Sequence, residues 1–447
     1  MPNTIPEREI AKVWQQQWLP REGLVTESGA PLSVIYPGRV NDDRGADFRD
    51  AVIVTPSGLM KGDVEIHNKS SDWRAHQHHR DACYNRVILH VVRQHDAKMV
   101  TSLQNGQVVP VLVLGKYLQI PPSQAGDLGY APNKVPCYKT AQYRDTDTIG
   151  RFLERAGEER FGAKAAQFQA DFSRNEPGQA LYRGIMGALG YAKNKVPFQE
   201  LADRLPLRIL ESLMDTSLSA EECLAQEQAR LLGMAGLLPS QHPDKCAEVI
   251  LERPWLAGLE ERWSASDGAA VMSAKEWRFC KVRPHNSPVR RLLAMASILV
   301  RFRMKGLFAW LIDLVKEAPL HQGNRVLAEA LQVEFGRPAG HTVTLLGTAR
   351  AADISVNVLL PFTFTWGQAS NQPELSMKAS ELYRRYPRLA TNSIEKHMQA
   401  QLGLNGSQVN SARRQQGLIH IYQRLCTEGR CQDCLLGQLE AGHDVKI

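Results

Sequence analysis

Between Gly62 and Asn68 the chain reads GDVEIHN, a strict alternation of polar and apolar residues. A strand gives such an alternation its meaning, because successive side chains of a strand point to opposite sides of the sheet. Val64 and Ile66 then face a core, while Asp63, Glu65 and His67 share the other face and line one groove. Carboxylates set close together repel unless a cation lies between them, and oxygen ligands on a rigid strand suit Mg²⁺ or Mn²⁺. This segment therefore demands a sheet with one apolar and one polar face.

The flanking sequence supplies the rest of that sheet. Short apolar runs, LSVIYPG (32–38), DAVIV (50–54), RVILHVV (86–92) and VVPVLVL (108–114), are separated by turn signals such as TPSG and QNGQ. They follow an amphipathic helix, EREIAKVWQQQW, with Ile10, Val13, Trp14 and Trp18 on one face. Beyond about residue 145 the spacing of Phe161, Ala165, Phe168 and Phe172 turns helical, and helical patterns run on to about residue 340. Residues 341–447 hold a β-like run, ISVNVLLPF, and then helices that end in a group of cysteines. The expected chain is α+β or α/β: a small mixed sheet with flanking helices over 1–145, a mainly helical part over 146–340, and a C-terminal part over 341–447. A length of 447 residues suits two or three domains, and a composition 43% hydrophobic and 23% charged is that of a globular chain. No apolar run is long enough to span a membrane, and MPNTIPEREIAKVW has no signal-peptide pattern, so a cytoplasmic protein is expected.

Groups that bind metals or move protons crowd one stretch. Six of the thirteen histidines lie between His67 and His95. His67, His76 and His78, converging with carboxylates, can bind Zn²⁺. His76 and His79 share a helix face, as do Asp72 and His76. His90, inside the apolar run VILHVV, reads as a core histidine with its polar atoms satisfied. In SSDW, Ser70 or Ser71 reads as a helix cap, Asp72 as a cap or a group that orients a histidine, and Trp73 as packing. A second acid, Asp47, lies where a loop enters the strand DAVIV, and a hairpin through TPSG brings it towards Glu65.

An acid at the start of one strand, followed by Glu-x-basic on the next, resembles the core of the PD-(D/E)XK nucleases. The resemblance implies a restriction-endonuclease-like core in which Asp47 and Glu65 hold Mg²⁺ or Mn²⁺ and water attacks a phosphodiester, with Asp63 and His67 completing the catalytic set. The first motif reads GAD here, and His67 stands where the superfamily has lysine. Lys61 or Lys69 is a candidate for that cation, and Glu7 or Glu9 for a further acid on the first helix. Longer stretches, PGRVNDDRGADFRDAVI, GDVEIHNKSSDWRAHQHHRDACYNRVILHVV, KVRPHNSPVRR and QGLIHIYQRLCTEGRCQDC, resemble an uncharacterised bacterial family, a domain of unknown function marked by GDVEIH, SDW, spaced histidines and a terminal cysteine triplet.

Cys426, Cys431 and Cys434 read C-x4-C-x2-C, the spacing of a soft-metal knuckle. The fourth ligand is open among His443, His420, Cys280 and Cys137; Zn²⁺ is the first expectation and a [4Fe–4S] cluster the second. Net charge is +7, and the stretch 278–305 carries eight Lys or Arg and no acid. Arg283, Arg290 and Arg291 are thus candidates for contact with nucleic acid, DNA first, with a solvated helix face as the alternative. The expected function is a metal-dependent nuclease acting on DNA. Its alternatives are a zinc-dependent hydrolase built on His67, His76 and His78, and a non-catalytic nucleic-acid-binding protein with a degenerate site. Nothing resembles a P-loop or dinucleotide fingerprint, so motor activity would come from a protein partner such as a helicase.

Overall fold

The computed structural model describes residues 6–438, apart from 21, 98, 118–134, 143–144, 242–252, 264–270, 280–285 and 337–341. The apolar stripe near the N-terminus becomes helix α1 (Glu7–Gln16), which buries Ile10, Val13 and Trp14. Glu7 and Glu9 in its first turn suit the positive end of the helix dipole.

The strands are β1 (Leu24–Val25), β2 (Pro31–Tyr36), β3 (Arg39–Val40), β4 (Phe48–Thr55), β5 (Gly58–Lys69), β6 (Val87–Gln94) and β7 (Val111–Val113). They form one seven-stranded sheet in the order β1-β2-β4-β5-β6-β7, with β3 paired to β4. Pairing is antiparallel from β1 through β5 and parallel among β5, β6 and β7. The expected hairpin is present: Thr55 pairs with Gly58, and the register runs back to Phe48 opposite Val64. That register sets Asp47, just ahead of β4, beside Glu65. The alternation of GDVEIHN holds as well. Val64 and Ile66 pack with Ala51, Ile53, Leu89, Val91 and the buried face of α1. Glu65, His67 and His90 occupy the opposite side, and Tyr36 and Val52 carry that side to further packing with Ile149, Leu153, Met398, Leu418, Ile421 and Tyr422.

Gly62 opens the motif because nothing larger fits there. A Cβ would stand 2.3 Å from the Arg86 carbonyl oxygen and 2.5 Å from Ile88 Cγ2. Gly62→Ala is expected to cost about 2 kcal/mol or more by overpacking. The check is urea unfolding, where the midpoint should fall at constant slope; an unmoved midpoint would contradict it.

The chain divides into two compact units, and the division does not follow three consecutive segments. One unit comprises Met1–Ala156, Thr391–Val409 and Gly417–Ile447; the other comprises Gly157–Ala390 and Asn410–Gln416. The stretch 341–447 is shared between them, because Leu418, Ile421 and Tyr422 join the core around Tyr36 and Val52 while residues up to Leu389 build the helical core. In the helical unit, Pro177–Leu189, Tyr191–Arg204, Ala220–Met234, Pro288–Arg301, Leu307–Glu317 and Pro373–Arg384 pack around Leu181, Ile185, Leu292, Leu299 and Leu311. Its one described hairpin is β8 (Val333–Gly336) with β9 (Thr342–Leu346). The run ISVNVLLPF is helical, not β: it crosses Thr348–Ile354, a π turn at Ser355–Leu359 and Leu360–Ala369. A continuous apolar run fits a buried helix as well as a buried strand, so its composition alone does not decide. Among the described residues no helix is long and apolar enough to cross a membrane.

Candidate metal centre

The start of β4 and the later part of β5 are laced together through their acids. Asp47 Oδ2 accepts a hydrogen bond from the Ile66 amide at 2.9 Å, and the Asp47 amide donates to Glu65 Oε2 at 3.1 Å. Glu65 is buried, whereas Asp47 stands at the exposed mouth. Burial pushes Glu65 up to about 8, with the charge of Glu7 adding to the effect. The surrounding protein, and then the charge of Glu65, push Asp47 up to about 7. A bound cation would relieve both.

The crossover from β5 to β6 brings the histidines over these acids. It is clamped at its start: Asp96 accepts from the Ser71 amide and hydroxyl, each at 3.0 Å, and Ser70 Oγ accepts from the Asp96 and Ala97 amides at 3.0 Å. A short helix, α2 (Asp72–Ala75), follows, with Asp72 accepting from the Lys69 amide at 3.0 Å. Trp73 is buried beneath it and donates from Nε1 to the Ser102 carbonyl. Gln77, at φ 61, turns the chain between His76 and His78. His67 Nε2 then lies 3.1 Å from His76 Nδ1, and His67 and His78 stack with centroids 5.2 Å apart. The ligand atoms of His67, His76 and His78 all lie within 4.8 Å of one another. Glu65 Oε1 is 3.6 Å from His67 Nε2 and 3.2 Å from His78 Nε2. Yet His78 Nε2 is buried without a hydrogen-bond partner, an orphaned donor atom at the centre of the group. Tyr84 stacks on the far side of His78 at 3.9 Å. Burial pulls His67 down to about 2 and His90 to about 3, and pulls His78 down as well. Neutral imidazoles keep their lone pairs for a metal, and a neutral His67 does not replace the positive charge of a lysine.

His90 is more than a core residue. Its Nε2 meets His67 Nδ1 at 2.9 Å, and its Nδ1 meets Thr101 Oγ1 at 3.2 Å. A His67 that held a metal through Nε2 would donate from Nδ1 to His90, which would donate in turn to Thr101; such outer partners orient a ligand. His90→Gln is expected to weaken Mn²⁺ binding by about 10–100-fold, the usual cost of losing such a partner. Titration calorimetry checks it, and unchanged affinity would contradict it.

Other candidates are placed elsewhere. Asp63 is fully buried, but its Oδ1 accepts from the Asp50 amide at 3.1 Å, and Arg49 and Arg86 each stand 3.6 Å away. The register shift between Phe48 and Ala51 creates that pocket, so Asp63 belongs to an arginine network and not to the histidine group. Glu7 accepts from the Asn68 amide at 3.4 Å and lies near enough to act on Asp47 and Glu65. Glu9 pairs with Lys12 at 3.0 Å and Arg8 at 3.7 Å on the outer side of α1. Lys61 pairs with Glu428, and Lys69 lies 4.0 Å from Asp96. His79 is outside the three-histidine set. Two arginines of the basic stretch have structural partners: Arg291 is buried, donating to the Leu345 carbonyl and to Asn286, and Arg290 donates to the Thr344 carbonyl. Arg291 is therefore not available to a nucleic acid. Arg283, Cys280 and His443 lie outside the described residues. Tyr84 and Asp96 carry no pattern in the sequence that marks them; only the fold of the crossover reveals them.

Near the C-terminus, Cys426, Cys431 and Cys434 close around one enclosed cavity together with Cys137, Tyr36, Gln401 and Ile421, and His420 is not among its lining residues. Gln401 Nε2 lies 3.2 Å from Cys137 Sγ and 4.0 Å from Cys426 Sγ. Burial pushes Cys137 up to about 12.

Fold and site together define an α+β protein whose mixed sheet carries, on one face, a cluster of imidazoles and carboxylates open at its mouth. The chain belongs to the family described as a protein of unknown function (DUF2851), whose model matches residues 7–391. The match takes in α1, the sheet and the histidine crossover, and ends before Cys426. No curated protein and no solved structure matches the chain.

Proposed function

We propose that this chain is a metal-dependent hydrolase of phosphodiester bonds, with DNA as its substrate. The observation that carries the reading is the lacing of β4 to β5, the Asp47 amide on Glu65 and the Ile66 amide on Asp47, with His67 and His78 against Glu65 and His76 beside His67. Asp47, Glu65, His67 and His78 would hold the ion. Such a mixed oxygen and nitrogen set suits Mn²⁺ or Zn²⁺ better than Mg²⁺. When bound, the ion supplies Lewis acidity and a water of lowered pKa. The chain's own groups do the rest. The amide of Asp47 fixes one oxygen of Glu65, and the His90–Thr101 pair fixes the ring of His67. Trp73 and Tyr84 pack their rings against His78 and hold it in place. His76, exposed beside His67, would take a proton from an attacking water.

The test is cleavage of plasmid and of single-stranded DNA with Mn²⁺, Mg²⁺ or Zn²⁺. Cleavage that disappears in Asp47→Ala and Glu65→Ala proteins of unchanged circular dichroism is the expected result; full activity in both variants ends the reading. A second reading, a zinc-dependent hydrolase of another substrate, draws on the mutual approach of the three histidine ligand atoms. It predicts that His78→Ala abolishes activity while Asp47→Ala spares it.

A further inference from the structure

We infer that Cys137, Cys426, Cys431 and Cys434 form a single four-thiolate centre for a soft metal, with Cys137 as the ligand that the C-terminal triplet lacks. Three observations carry this. First, the four cysteines line one small cavity, and Cys137, Cys426 and Cys434 are themselves buried there. Second, the local backbone is built to present them. Cys426 opens one short 3-10 turn and Cys431 another, and Gly429 lies between them at φ 68. A Cβ at Gly429 would stand 3.0 Å from Val52 Cγ1, so this turn lies flat against the sheet only as glycine. Third, Gln401 directs its amide nitrogen at Cys137 and Cys426, the kind of N–H to sulfur contact that supports metal-bound thiolates.

The two cofactors that take four thiolates differ in the room they need. One zinc ion draws its sulfurs to about 3.8 Å apart, since each Zn–S bond is about 2.3 Å and the site tetrahedral. An iron–sulfur cube spreads its four ligands around a larger body. The cavity that the four cysteines line holds about 10 Å³, room for a single ion and not for an iron–sulfur cube, so the single ion is favoured. The centre is distinct from the histidine group and does not depend on the reading of that group. It would tie the segment after the sheet to the C-terminal turns, both within the same compact unit.

The experiment is anaerobic purification of the full chain, with iron, zinc and acid-labile sulfide measured per chain. The variants are Cys137→Ser and Cys426→Ser, with Cys223→Ser, a buried cysteine of the helical unit, as control. The expected result is zinc without sulfide in the parent and the control, and at least a fivefold loss of it in Cys137→Ser and Cys426→Ser. Iron with matching sulfide, lost in the same two variants, also supports the four-cysteine centre and assigns it the cluster. No thiolate-bound metal in the parent protein, or full retention in Cys137→Ser, overturns the inference. The parent measurement decides even if a variant fails to fold.

Discussion

Replacing Glu65 by glutamine is expected to lower metal-dependent DNA cleavage about a thousandfold or more, a loss of about 4 kcal/mol in transition-state stabilisation, while making the metal-free protein more stable above pH 7. The two effects have one cause. Glu65 is buried beside Asp47, so its charge is welcome only with a cation present. Its folded pKa of about 8 lies above the unfolded value of 4.5. Between those values the native state holds a proton that the unfolded state has released, so stability falls as pH rises through the window. The slope is about 1.4 kcal/mol per pH unit for one group. Glutamine has no charge to bury, so near pH 8 in EDTA the variant should exceed the parent by about 2 kcal/mol, and by little near pH 5. Urea unfolding at both pH values measures it. A variant less stable than the parent at pH 8 would show that the carboxylate is well accommodated without metal.

Metal should stabilise the protein more at pH 8 than at pH 6. His67 and His90 have folded values of about 2 and 3, below the ordinary 6.5. Their sign is opposite to that of Glu65: their contribution is complete above pH 6.5 and is lost as pH falls below it. The metal-free protein is therefore squeezed from both sides, by the imidazoles in acid and by the carboxylates in mild alkali. A divalent ion needs the carboxylates deprotonated, so its affinity rises through the window that ends near 8. At one hundred times its dissociation constant it adds about 2.7 kcal/mol. Thermal unfolding with and without Mn²⁺ should show a larger upward shift at pH 8, and no such shift in Glu65→Gln. Equal shifts at the two pH values would remove the carboxylates from the binding reaction.

Much of the sheet can be read from the sequence because its signals are local. Alternation marks β5, TPSG marks the hairpin, and the apolar runs mark β2, β4, β6 and β7. Asp47 and Glu65 meet because a hairpin register follows from a short turn. What could not be read is non-local or depends on an irregularity. Asp63 shares the parity of Glu65, but the bulge in β4 gives it to Arg49 and Arg86. Arg291 looks like part of a basic stripe, yet it lies inside the helical unit and ties down β9. Cys137 is far from the C-terminal triplet in sequence, and only the fold brings it there. The role of His90 depends on the parallel pairing of Glu65 with His90 on β6, which no local pattern encodes.

Anomalous scattering from crystals soaked in Mn²⁺ decides whether the carboxylates hold the ion. A single strong peak bonded to Glu65 and Asp47 together with His67 or His78 is expected. A peak held by the histidines alone with the carboxylates turned away, or no peak at this place at millimolar Mn²⁺, would contradict it.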